Sequence, residues 1–501
     1  AQSEQDSEET EGTQEIITNG QEGGQSQGKE FTATTDTSYN NKFNEVRDID
    51  AKDRNYSFIP KVKLDKAIIS PKEIFEICRK HYKVTEATDS NHVKFISSTT
   101  EEFKGIKHDS KKVISYMVKE FEMKKSADLY KRATVSKTGS LNMGALHSYK
   151  FNEDLFAKVT TMPGATNHAM VMFLDWSGSM ADNLPQTLKQ LFNLVWFCNR
   201  VKIPFEVYAF TDAWNGSRYY GNEEGVTKIQ DFKSGDMIIN DVKLLNYFSS
   251  KMNKNDQDEM MDYLWKMCQA WVGFRDWRND GYPITPPKKL TLGGTPLNHA
   301  IVTAMDILPK YKKETGVQRL NTVFLTDGYS HTVGKKYVII DDKKTDDYVS
   351  STFVQSVVTD PITNTTIIQE SNSGFRRRHV SQTTMLLKLL KKRVPDMNIL
   401  GFFIAGSGRK GYVKKDIIMD EMNCSWEEAG TYLKEINKNK VLVNSKKEGY
   451  DEHYLMPGGE KLDIESGDLD VEVGASKANL KRAFVKASKG KISSRILLNK
   501  F

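Results

Sequence analysis

The sequence predicts an α/β fold with a doubly wound, Rossmann-like and mostly parallel sheet, and three observations predict it. Apolar runs such as "AMVMFLD" (169–175), "LNTVFLTDG" (320–328) and "MNILGFFIAG" (397–406) lack polar alternation, as strands covered on both faces do. Stretches with helical periodicity separate them, so strands and helices alternate along the chain. Two of the runs end in an aspartate followed by turn residues, where open α/β sheets place their ligands.

Taken in order, residues 1–45 are rich in Gln, Glu, Ser, Gly and Thr, with few large apolar side chains. They bury too little surface to offset chain entropy and are expected to be a disordered acidic segment. Residues 46–168 read as a mixed α/β and helical arm. Within it, "SPKEIFEIC" (70–78) has a Ser cap and a Pro at the first helical position. "SKKVISYMVKEFEMKKSADLYKRA" (110–133) places Val113, Met117, Phe121 and Met123 near one face of a long basic helix. "GSLNMGALHSYKFNEDLFAKVT" (139–160) is an arm leading into the central domain.

The central domain spans 169–446. After the first strand come a helix at 184–201, a strand "PFEVYAFTD" at 204–212, and, beyond an insertion at 213–290, a helix at 295–311. The strand at 320–328 is followed by a second insertion at 329–378, read as two β-hairpins, the later one with a Pro/Asn turn. A helix at 383–393, the strand at 397–406, a helix at 425–436 and a last strand, "KVLVNS" (440–445), complete it. Residues 447–501 form a C-terminal extension ending in a basic amphipathic helix.

Composition narrows the function. With 38 % hydrophobic and 28 % charged residues in 501, and no apolar run near the roughly 20 residues of a membrane span, a non-membrane protein is expected. The four cysteines (Cys78, Cys198, Cys268, Cys424) are far apart with no C-x-x-C pair, against a disulfide framework or a zinc site. With no signal-peptide pattern at the N-terminus, a reduced, cytoplasmic protein of a bacterial or phage-infected cell is the reading. There is no phosphate-binding G-x-x-x-x-G-K-[ST], no G-x-S-x-G and no H-E-x-x-H. "AGSGRKG" (405–411) has the wrong spacing for a phosphate loop and reads as a strand-to-helix turn.

One constellation remains. Asp175, Ser177 and Ser179 leave the first strand, Thr295 of "LGGTPLN" opens a helix, and Asp327 of "LTDG" ends another strand. Two carboxylates and three hydroxyls, without nitrogen or sulfur, suit a hard cation: Mg²⁺, with Mn²⁺ or Ca²⁺ as alternatives. Neutral hydroxyls leave such an ion electrophilic toward a carboxylate from outside, which is adhesion chemistry rather than catalysis. The competing explanation is ordinary, since Ser and Asp at a helix start are common caps.

The three-part set resembles the metal-ion-dependent adhesion site of von Willebrand factor A (VWA) domains. "FLDWSGSM", "LGGTPL" and "LTDG" are most similar to the CobT-like branch, the VWA subunits of cobalt chelatase and their relatives. The acidic segment upstream and the arm before the first strand support the resemblance, which covers roughly residues 110–445. It implies Asp175, Ser177, Ser179, Thr295 and Asp327 as the metal residues. The hydroxyls would bind directly and one or both aspartates through water, with Gly178 and Gly294 letting backbone approach the ion. It also implies a partner, a MoxR/CobS-like AAA+ ATPase ring, and an acidic residue of a ring subunit or client completing the site. Where the family commonly has Asn, this chain has Trp176, so Trp176 is expected on the rim as a partner contact, as is the cationic cluster Arg376, Arg377 and Arg378.

The expectation is therefore a metal-dependent protein-binding adaptor, not catalytic alone. One alternative is a subunit of an ATP-dependent cobaltochelatase-like complex inserting metal into a tetrapyrrole. A second is a nucleic-acid-binding VWA protein using the acid-free tail 475–501.

Overall fold

The computed structural model describes residues 54–85, 88–132, 134–141, 156–161, 167–214, 229–231, 233–239, 242–275, 285–331, 333, 335–340, 343–348, 355–368, 375–408 and 410–462. The acidic segment 1–45 and the basic tail 475–501 lie outside the described residues.

An eight-stranded sheet organises the chain. Its strands are β1 (Ile68–Ile69), β2 (His168–Asp175), β3 (Phe205–Thr211), β4 (Lys243–Ser249), β5 (Arg319–Thr326), β6 (Met397–Ile404), β7 (Leu442–Val443) and β8 (Glu452–Met456), in the spatial order β7-β8-β6-β5-β2-β3-β4-β1. β2, β3, β5, β6 and β8 run parallel, β4 is antiparallel to β3, and β7 is antiparallel to β8. The fold is thus mixed α/β with a mostly parallel sheet, as the unalternating apolar runs require.

Both faces of β2 are buried. Met170, Met172 and Leu174 join one core cluster while Ala169, Val171 and Phe173 join the other, the period-two alternation of a strand. The first cluster packs beneath helices α1 (Pro71–His81), α2 (Ser90–Arg132), α3 (Leu184–Val201) and α4 (Lys254–Arg275). The second lies beneath α5 (Leu297–Thr315) and α6 (Phe375–Arg393). A third, smaller cluster gathers α7 (Lys415–Met422) and α8 (Trp426–Asn439) around Phe403 and Leu455.

Local signals set the helix ends. Ser70 Oγ accepts from Glu73 N with Pro71 in the first turn, and Ser425 with Glu428 forms a capping box. The helix read at 110–133 begins earlier, at Ser90, and its apolar stripe is shorter than expected. Met117 and Phe121 are buried and Val113 packs at the edge, but Met123 is exposed because, two residues past Phe121, it leaves the i, i+4 face that those residues share.

The sheet also reaches beyond the expected boundaries. The 213–290 insertion supplies β4, and Trp265 of its helix α4 is buried in the main core. "KVLVNS" contributes only the two-residue edge β7, and among the described residues the last strand is β8, at 452–456. Within 329–378 both hairpins are present, Lys335–Ile340 with Lys343–Tyr348 and Gln355–Asp360 with Thr365–Ile368. The second turns through Pro361–Asn364, with Asn364 left-handed at φ 51°.

One buried charge cluster ties this hairpin to the helices. Arg393 makes a bidentate pair with Asp360 (Nε–Oδ2 2.9 Å, Nη2–Oδ1 2.6 Å) and reaches Asp306 Oδ1 at 2.9 Å. Asp306 Oδ2 accepts from Val62 N at 2.8 Å, so a single guanidinium links α5, α6, the hairpin and the N-terminal segment. Truncating one member of such a group leaves charges buried without compensation. Arg393→Met should therefore lower unfolding free energy by about 3–5 kcal/mol, read as a lower urea midpoint at unchanged m-value.

Candidate metal centre

The order in which strands are added to the sheet reverses at β2. From it the chain steps outward through β3 and β4, then returns to β5 on its other side and continues to β6 and β8. The crevice at the carboxyl ends of β2 and β5 is thus a topological switch point. Asp175 is the last residue of β2, and Asp327 directly follows β5.

Backbone hydrogen bonds fasten the loops. Gly293 N donates to Trp176 O at 3.0 Å and Gly178 N to Gly293 O at 2.9 Å, a short ladder centred on the Ser177–Gly293 bridge. Ser177 and Thr295 are held on loops that cannot slide past one another. Next to them, Ser179 Oγ donates to Asp327 Oδ1 at 2.7 Å and lies 3.0 Å from Ser177 Oγ. A methyl group on Gly328 would stand 3.4 Å from Thr295 Oγ1 and 4.0 Å from Ser179 Oγ, which brings the threonine to the same spot. The sequence-predicted oxygens of Asp175, Ser177, Ser179, Thr295 and Asp327 thus converge on one edge.

The capping explanation fails for Ser177. It is the cap residue of the short 3-10 turn Gly178–Asp182, yet its side chain makes no capping hydrogen bond. Asn183, at the cap of α3, makes none either: its Nδ2 donates to Asp327 Oδ2 at 3.2 Å and its Oδ1 accepts from Gly459 N at 2.8 Å. Instead Ser177 Oγ meets Ser179 Oγ, and Asn183 spans from Asp327 to Gly459.

Asp175 is the most constrained member. It is fully buried; Oδ2 accepts from Thr326 Oγ1 at 2.6 Å, and Oδ1 is buried without a hydrogen-bond partner. Burial, and then the neighbouring Asp327, push its carboxyl from 3.8 up to about 8, against the smaller lowering influence of the Thr326 and Ser177 hydroxyls and the Asp327 backbone. Burial also raises Asp327, against the hydrogen bonds from Ser179 and Asn183. An orphaned buried carboxylate oxygen beside a second carboxylate fits a divalent cation, which would supply the missing partner and remove the repulsion. Ser177 and Thr295 are buried while Ser179 is exposed, so the set is open on one side.

The sequence reading missed several contributors. Asp212, just after β3, accepts from Gly294 N at 2.6 Å through Oδ1. A Cβ on Gly293 would fall 2.3 Å from that oxygen, and one on Gly294 2.7 Å from Oδ2 and 2.6 Å from His331 Cε1. The Gly pair is required by this carboxylate rather than by an ion. Gly178 has only ordinary clearance, 3.9 Å to Gly293 O, so no close approach demands it. The "TD" that ends "PFEVYAFTD" was the available signal, since it repeats the strand-final carboxylate of β2 and the "LTD" of β5.

One rim expectation needs correction, and a second falls on side chains outside the described residues. Trp176 is fully buried: its Nε1 donates to Leu290 O at 3.0 Å and its ring lies 5.1 Å from that of Tyr247. Successive residues of an extended chain point to opposite faces, so Trp176 turns into the core between Asp175 and Ser177. Arg376, Arg377 and Arg378 belong to the first turn of α6, and their side chains lie outside the described residues. "AGSGRKG" does not lead straight into a helix; it folds back as a small hairpin, Gly406–Ser407 with Tyr412–Val413. Its glycines serve packing: a Cβ on Gly406 would lie 2.1 Å from Gly458 N, and one on Gly411 1.6 Å from Gly458 O. That contact seats Gly459 against Asn183.

A raised carboxyl has a definite effect on stability. Between pH 3.8 and about 8 the folded chain retains a proton on Asp175 that the unfolded chain has released. Stability in EDTA should therefore fall as pH rises through this window, and stabilisation by Mg²⁺ should grow over the same range. Asp175→Asn should raise the EDTA melting temperature at pH 8 and abolish the Mg²⁺ response, both readable by thermal denaturation. A merely structural aspartate would instead lose stability on that substitution.

No family model matches the chain, and no curated protein does. Among solved structures, the pilus adhesin SpaC from Lactobacillus rhamnosus GG, in its open conformation and in a second crystal structure, is similar at 12 % identity and a TM-score of 0.27. Each match covers 55 % of this chain and 30 % of the adhesin, so the chain spans under a third of that protein's length.

Proposed function

We propose that the chain is a VWA-type, CobT-like protein whose carboxyl edge holds Mg²⁺ and captures an acidic side chain of a partner. Asp175, Ser177, Ser179, Thr295 and Asp327 would hold the ion. The observation that carries this reading is the buried, unpartnered Oδ1 of Asp175 facing a second carboxylate within a ring of hydroxyls. When bound, the cation supplies an electrophilic point for an incoming carboxylate. The chain's residues do the rest. Asp212 and the Trp176–Gly293 ladder orient the loops, Asn183 and Ser179 fix Asp327, and the exposed side by Ser179 admits the partner.

In this reading the protein is an adaptor for a MoxR/CobS-like AAA+ ATPase. Mechanical work comes from the ring and the capture of its acidic residue, or a client's, comes from this chain. The 3-10 segment Gly459–Leu462 that follows β8 begins at the residue bonded to Asn183, so the last described residues leave the sheet beside the site.

Affinity capture with tagged protein from native lysate, in Mg²⁺, in EDTA and with Asp175→Ala, tests the proposal. An AAA+ ATPase should be retained only with Mg²⁺ and intact Asp175. The same partners under all three conditions would show that the edge does not mediate capture. Assaying the captured assembly with a tetrapyrrole and metal ion separates adaptor from chelatase subunit.

A further inference from the structure

A second polar site lies lower on the sheet. A cleft of about 890 Å³ opens between the α5 face of β3–β4 and the start of α1, within the usual size range of ligand pockets. Glu206 of β3 lies in its wall and is buried, 5 % exposed. Ser249 Oγ donates to Glu206 Oε1 at 2.7 Å and Asn246 Nδ2 to Oε2 at 2.9 Å. Glu206 precedes Phe210, the partner of Asp175 in the sheet, by four residues, about 13 Å along the strand. It takes no part in the metal centre.

A break in the strand register builds this group. Glu206 pairs with Ser249 and Val207 with Phe248, but Tyr208 pairs with Asn246, so Tyr247 is an extra residue in β4. Tyr247 and Phe248 both turn into the core on the far side, whereas Leu244 belongs to the near one. In a regular strand residues 246 and 249 would point to opposite faces. The bulge turns both toward Glu206, as bulges do where a side chain is re-aimed.

The group is left with acceptors to spare. Asn246 is 8 % exposed and lines the cleft, and its Oδ1 is buried without a hydrogen-bond partner. The amide cannot be turned round without placing that oxygen against the Glu206 carboxylate. Burial holds Glu206 above the ordinary carboxylate range, so no neighbouring cation compensates it fully. Two lysines of the same lining, Lys251 and Lys310, pair with its Glu314, their Nζ atoms 3.3 Å and 4.0 Å from that carboxylate, and Lys251 offsets the burial of Glu206 only in part. Lys72 and Asp65 at the mouth are exposed, and Asp256 is bonded by Asn253. Tyr208 and Tyr311 contribute aromatic wall.

We infer that this cleft binds an organic cation, an alkyl ammonium or guanidinium whose N–H groups reach Glu206 and Asn246 Oδ1. The donor-rich head satisfies the orphaned amide oxygen and neutralises the carboxylate, while the alkyl part lies against Tyr208 and Tyr311.

Isothermal titration of the full chain with agmatine and n-butylamine tests this, with 1-butanol and inorganic phosphate as controls. Saturable heat with either cation and none with 1-butanol or phosphate is expected. Glu206→Gln should weaken the cation at least tenfold, and Asp175→Asn should leave it unchanged. Absence of saturable cation binding by wild-type protein that melts cooperatively overturns the inference, as does equal binding of 1-butanol or preferential binding of phosphate. Unchanged affinity in a folded Glu206→Gln protein overturns it too. If that variant does not fold, the wild-type comparison of n-butylamine with 1-butanol decides.

Discussion

Two carboxylates held side by side at the end of a buried sheet set the terms for the rest of this structure. Asp175 and Asp327 stand on neighbouring parallel strands, and the register of β2 with β5 leaves neither free to withdraw. One is fully buried and the other half-buried, so water cannot screen their repulsion well. Thr326, Ser179 and Asn183 donate to them, but Asp175 Oδ1 still lacks a partner. A fold with this arrangement either carries a protonated acid or gains stability from a cation.

The surrounding loops are built to hold that arrangement rigid. Backbone approach does much of this: Gly293 and Gly294 lie against Asp212, and Gly406, Gly411 and Gly458 meet where side chains would collide. These contacts join segments far apart in sequence, so the geometry at Asp327 depends on the chain near residue 459 as much as on its own loop. The Arg393 cluster does the same below the sheet, with one guanidinium serving carboxylates from two elements.

Much of the layout was legible because period and punctuation act locally. Runs without alternation marked β2, β5 and β6, and Ser70–Pro71 and the Ser425–Glu428 box marked helix starts. The same reasoning missed elements whose existence depends on pairing. β4 arises inside an apparent insertion, β8 lies beyond the expected end of the domain, and β7 shrinks to two residues. Short edge strands carry weak patterns, and their identity is decided by which neighbour supplies hydrogen bonds. Trp176 was misread for a related reason: it stands where the resembled family commonly has Asn, which suggested a rim, but alternation turned it inward.

By itself the sequence determined the α/β alternation and the five oxygen-bearing residues at strand and helix ends, because covalent spacing and local propensity need no partner. Tertiary structure alone decided that Asp212 and Asn183 would support that edge, that Asp175 would keep one oxygen unpaired, and that a bulge in β4 would turn Asn246 and Ser249 onto Glu206. These depend on sheet register and on backbone contacts between distant loops, and in a packed interior both are settled only when the elements meet.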